Sequence, residues 1–99
     1  MQTDLIIVRE YCIKSQIEPS FITSLADEGL IDIQTIEGEE YLLITQLPQL
    51  ERYIRWHYDL SINIEGIDAI RHLLIQMNAM QQEIYQLRRK VSTFMGDID

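Results

Sequence analysis

Cys12, His57 and His72 are the side chains that could attack a substrate, relay a proton or hold a metal. A cysteine beside an imidazole makes a nucleophile pair, and imidazoles with a thiolate can ligate zinc. Neither arrangement is spelled out here. Both histidines lie far from Cys12 in sequence, and neither sits in a nucleophile motif or at a zinc-ligand spacing. Cys12 is therefore expected to be a small buried hydrophobe. His57, inside Arg55-Trp56-His57-Tyr58, is expected to be a partly buried or surface histidine on an amphipathic helix. Glu37, Glu39 and Glu40 bring carboxylates close together, but the calcium-loop pattern is absent. The four glycines are scattered, so no loop is rich enough in them to cradle a phosphate. The chain is expected to have no catalytic residues, no metal and no cofactor, and to work by binding.

The elements that would carry a binding surface follow from the apolar spacing. Residues 5–7 form a brief strand or a lead-in. Residues 8–14 read as a short helix with Val8, Tyr11 and Cys12 on one side. After a polar turn, Pro19 suits the first position of a second helix, because its missing N–H is not needed there. Phe21, Ile22 and Leu25 give that helix its apolar stripe, and Gly29 closes it. Two short helices joined in this way make a helix-turn-helix. Residues 30–36 and 41–44 are β-prone and flank Glu37-Gly38-Glu39-Glu40, which predicts a hairpin wing with its turn over those four residues. A third helix is expected over residues 48–59, with Leu50, Tyr53, Ile54 and His57 or Tyr58 on its inner face. Residues 60–62 break the pattern, and Asn63 is placed to cap the next helix.

That last helix, about residues 64–94, has no proline and no glycine after Gly66. Ile70, Leu73, Met77, Met80, Ile84, Leu87, Val91 and Phe94 recur at gaps alternating between three and four, a heptad seam of the coiled-coil type. Leu74 and Ile75 widen the apolar face only near its start. The start is expected to pack on its own domain, and the rest to seek another helix. The fold class is mainly α: a winged helix-turn-helix with a small β-hairpin wing and a long C-terminal coiled-coil helix. Residues 1–66 are expected to form the winged domain and residues 67–99 a dimerisation helix, so the chain should be a homodimer. With Ile70 at a, Glu83 falls at g and Arg88 at the following e, which favours parallel strands.

Charge narrows the partner. The 99 residues hold 16 acids against 8 bases. Residues 1–50 carry nine of the acids and only Arg9 and Lys14, a net charge of −7; residues 51–99 are nearly balanced at −1. The first half repels polyanions and complements a basic protein surface. A helix-turn-helix that reads DNA inserts its second helix into the major groove and gains affinity from Lys and Arg on phosphates. Residues 19–28 contain neither and end in Asp27-Glu28, and the wing turn carries three glutamates. DNA is thus not the expected partner. One cysteine allows no internal disulfide, no apolar run reaches the ~18 residues of a membrane span, and Asp4 interrupts any signal-peptide pattern, so a cytoplasmic setting is expected.

The order of these segments resembles the chaperone modulator family, the CbpM-like proteins of bacteria, which are similar to the DNA-binding domain of MerR-type regulators. The resemblance rests on Tyr11-Cys12, Ile17-Glu18-Pro19, Gly29-Leu30-Ile31, Arg55-Trp56-His57-Tyr58-Asp59-Leu60 and Ile62-Asn63-Ile64-Glu65-Gly66-Ile67, followed by the heptad helix. It implies binding to the J-domain of a DnaJ-like co-chaperone, restraining its stimulation of Hsp70. The departure from MerR regulators falls where they carry Arg and Tyr on the second helix and a basic wing; here stand Phe21, Ser24, Leu25, Glu39 and Glu40. Asp27, Glu28, Asp32, Glu37, Glu39 and Glu40 are the expected partner-binding residues. The alternatives are a MerR-like DNA-binding transcriptional regulator and an accessory subunit that scaffolds through its coiled coil.

Overall fold

The computed structural model describes residues 4–96; the outermost residues of both expected domain spans, 1–3 and 97–99, lie outside them. The elements run β1 (Leu5–Ile7), α1 (Val8–Ser15), α2 (Pro19–Asp27), β2 (Ile33–Ile36), β3 (Glu39–Leu43), α3 (Leu47–Ile54) and α4 (Ile64–Gly96). A 3-10 turn, Ile44–Gln46, leads into α3, and a π-helical stretch, Arg55–Asp59, leads out of it. The chain divides into two compact units between Asp68 and Ala69. The first turn of α4 belongs to the first unit and the rest of that helix makes the second.

The helix-turn-helix is held by two left-handed stops. Gln16, at φ 57°, ends α1, and Ile17 donates back to the Cys12 carbonyl at 3.1 Å. Gly29, at φ 76°, ends α2, and Leu30 donates back to the Leu25 carbonyl at 2.9 Å. Both are Schellman closures, in which the residue after the stop folds its side chain onto the helix it has left. Ile17 and Cys12 are buried, as are Leu30 and Leu25. Pro19 opens α2 as expected.

The hairpin turn is shorter than the predicted four residues. Ile36 pairs with Glu39, leaving only Glu37 and Gly38 in the loop, both at positive φ, 49° and 83°. That is the mirror-image turn whose twist suits a tight hairpin. Glu39 and Glu40 are consequently strand residues. Residues 30–32, expected in the preceding strand, stay outside it, with Leu30 and Ile31 buried in the core. β1 adds a third antiparallel strand, giving the order β1-β3-β2. Leu42 faces Ile6 on one side and Ile33 on the other, and is fully buried.

The core of the first unit joins Val8 and Cys12 of α1, Phe21, Ile22 and Leu25 of α2, Leu42 of β3, Leu50 and Tyr53 of α3, and Ile67 from the first turn of α4. The buried Tyr53 hydroxyl accepts a hydrogen bond from Gln49 at 2.8 Å. Burial pushes the Cys12 thiol up from its ordinary value, which keeps it protonated and unreactive.

Asn63 caps α4, its side-chain oxygen accepting from the Gly66 N–H at 2.7 Å. Gly66 is required by that arrangement. A Cβ there would lie 2.8 Å from Ile62 Cγ2 and 3.1 Å from Asn63 Oδ1. Alanine in place of glycine ordinarily stabilises a helix by about 1 kcal/mol. Gly66→Ala is expected to reverse that sign and destabilise the fold by about 1 kcal/mol, since it displaces a cap worth about as much and crowds Ile62. Urea denaturation checks this: Gly66→Ala and Asn63→Ala should each lower the midpoint, and the double substitution should cost less than their sum.

Candidate functional site

The six acidic residues picked from sequence all lie on the first unit, but not in one cluster. Asp27 and Glu28 are exposed at the C-terminal end of α2, Asp32 at the foot of β2, and Glu37 at the hairpin tip. From Asp32 to Glu37 the strand rises roughly 16 Å. Glu39 and Glu40, adjacent on β3, have side chains on opposite faces of the sheet. The carboxylates therefore make a band of positions from the end of α2 to the wing tip that takes in both faces of the hairpin.

Electrostatics distinguish its members. Asp27 and Glu28 stand at the negative end of the α2 dipole, with no basic residue in the last turn to offset them. An acid there works against the helix. Glu39 is engaged: Arg9 of α1 donates to it at 3.1 Å, and the pair fastens the wing to the first helix. Asp32 has its backbone clamped by Gln46, whose amide accepts from the Asp32 N–H at 2.6 Å and donates to its carbonyl at 2.9 Å. Glu37 and Glu40 are exposed. Neither α2 nor the β2–β3 hairpin contains a Lys or Arg.

A second feature lies where α3 loosens into the π-helical stretch. His57 stacks on Phe21 at 4.4 Å between ring centroids, while Tyr58 meets the edge of the same ring at 5.5 Å. The wider winding turns two consecutive side chains toward one target, so both candidates for the inner face reach it. His57 Nδ1 lies 2.9 Å from the Ile62 carbonyl and must carry the proton there, since a carbonyl only accepts. The Tyr58 hydroxyl accepts from the Glu18 N–H at 3.2 Å, which supplies a partner at the start of α2. These contacts fix the turn between α1 and α2 against α3, a structural duty for His57. Arg52 lies over the Trp56 ring at 5.4 Å, a pairing that four-residue spacing on a helix could have announced. Among the described residues no group of three His, Cys, Asp or Glu is placed to hold a metal ion, and no helix is long and apolar enough to cross a membrane.

The fold is a winged helix-turn-helix whose second helix is acidic and free of bases, the architecture of the helix-turn-helix regulatory class. Residues 6–89 match the family described as "MerR HTH family regulatory protein", and the chain belongs to that family. It is also similar to the "Chaperone modulatory protein CbpM" of Pseudomonas putida (strain W619), 24% identical over 98 residues that cover 95% of this chain and 97% of that protein. Both are regulatory kinds of protein. No solved structure matches the chain.

Proposed function

We propose that this protein is a non-enzymatic modulator that binds the J-domain of a DnaJ-like co-chaperone and restrains its stimulation of Hsp70. The observation that carries it is α2: the helix a DNA-reading relative would place in the major groove holds no Lys or Arg and ends in Asp27-Glu28. Duplex phosphates would repel it, whereas a basic protein face would complement it. The end-to-end similarity to a chaperone modulatory protein supplies the partner class. The acidic band is the proposed docking surface, and overlap with the site used by Hsp70 is enough to inhibit. The second unit is the proposed dimerisation element, through the seam from Ile70 to Phe94, and the cytoplasm is the proposed setting.

Calorimetry and stopped-flow association with a purified J-domain test this. Binding is expected to weaken as salt rises, because the docking charges are exposed. Glu37→Lys with Glu40→Lys is expected to slow association by about tenfold while leaving the fold intact. Those two are preferred to Glu39, whose reversal would also break its contact with Arg9. No heat of binding at any salt sinks the chaperone reading. A sequence-specific band shift at nanomolar protein on DNA upstream of its own gene would favour the transcriptional regulator instead.

A further inference from the structure

The three-stranded sheet ends on β2 with an open edge. The two-residue turn makes Ile36 and Glu39 a hydrogen-bonded pair, and Gln34 with Tyr41 the next. The N–H and C=O groups of Ile33 and Thr35 therefore point away from β3. Among the described residues, no backbone group beyond the strand pairing is bonded to either of them. Edge strands are usually guarded by a charge, a proline or a bulge. β2 reads Ile-Gln-Thr-Ile and has none of these, and Gln34, Thr35 and Ile36 are exposed.

Charge sits instead at the two ends of the strand. Exposed Asp32 precedes it and exposed Glu37 follows it. Gln46 already occupies the backbone of Asp32, which limits the open edge to β2 itself. A second copy of this chain is a poor occupant. Antiparallel pairing that matches Ile33 with the other copy's Thr35 sets Glu37 of each chain opposite Ile31, one position from Asp32 of the other, between two proteins each carrying a net charge of −8. The same two carboxylates favour a strand with cationic ends.

We propose that the β2 edge binds an extended peptide segment of another protein, uncharged and β-branched in its middle, with Lys or Arg at both ends. Ladder hydrogen bonds to Ile33 and Thr35 hold the segment, and Asp32 and Glu37 set its placement. This is a different surface use from docking a folded J-domain, so either can fail without the other.

The test uses the full chain and a fluorescein-labelled peptide, Lys-Lys-Val-Thr-Val-Thr-Lys-Lys, against the same peptide N-methylated at all four residues of its middle, so that neither edge keeps a donor there. The unmodified peptide is expected to bind on the order of tens of micromolar at low salt, and the methylated one roughly tenfold more weakly or worse, having the same charge but fewer donors. Hydrogen exchange is expected to slow at the Ile33 and Thr35 amides, and Glu37→Lys to weaken binding several-fold. Equal affinity for the two peptides would reduce the interaction to bulk charge and overturn the proposal. So would protection at other amides, or no binding up to millimolar peptide.

Discussion

Leu87→Asp is expected to turn the protein from a dimer into a monomer at micromolar concentration, while Ile75→Asp leaves its mass unchanged. Within one chain nothing separates these two residues: each is 54% exposed. The seam separates them. Leu87 falls on the row of alternating three- and four-residue gaps and Ile75 falls off it. Met77, Met80, Ile84, Val91 and Phe94 on that row are exposed as well, and a stripe of this length left bare is an aggregation hazard. A second helix would place Leu87 in an apolar layer. Losing a buried leucine removes about 1.5–3 kcal/mol per copy, and a carboxylate left there without a partner costs several kcal/mol more. The combined effect in both copies exceeds a hundredfold in dimer affinity. At position 75 a carboxylate would remain in water. Light scattering across a dilution series decides the matter. A monomer mass for the unmodified chain would remove the dimer, and equal loss in both variants would move the pairing to another face of α4.

How far the fold could be read from sequence depended on whether a signal was local. The Schellman stop at Gly29, the proline at the start of α2 and the cap at Asn63 each rest on a residue type whose chemistry fits one position, and all three stand where expected. The stop at Gln16 has the same geometry without a glycine, and so left no mark beyond a polar turn. The hairpin was legible as a hairpin but not in its register. Asn-Gly or Asp-Gly announces a two-residue turn, whereas Glu37 takes its positive φ without being a residue that prefers it. A four-residue turn would have set Leu42 opposite Thr35 instead of Ile33. The π-helical stretch has no sequence signature, and β1 could not be assigned because its partner lies far along the chain. The acidic residues were legible one by one. That Glu39 is engaged by Arg9 while Glu37 and Glu40 are exposed depends on the register, and so appeared only in the structure.

Leu42→Ala is expected to have the largest effect on stability of any single truncation in the wing, lowering it by about 2–5 kcal/mol. Leu42 is paired to both neighbouring strands, with Ile6 and Ile33, and unlike Tyr41, which is paired to Ile7 and Gln34, it is fully buried. Its side chain is where the sheet enters the helical core, alongside Leu25, Leu50 and Tyr53. A cavity there cannot be closed by shifting one strand, because the middle strand is held on both sides and its turn admits no slack. A small domain has only about 5–15 kcal/mol to lose, so the variant should be partly unfolded near physiological temperature. Ile36→Ala provides the control: Ile36 is on the same hairpin but exposed at its tip, and its loss should change stability by about 0.5 kcal/mol or less. Thermal melts followed by near-ultraviolet circular dichroism of the tyrosines and Trp56 report mainly on the first unit, which holds Trp56 and every tyrosine except Tyr85. A melt for Leu42→Ala that coincides with that of Ile36→Ala would show that the sheet is an appendage to the helices. Loss of J-domain binding in step with the lost stability would then tie the docking surface to an intact wing. Binding that survives an unfolded wing would place that surface on the helices alone.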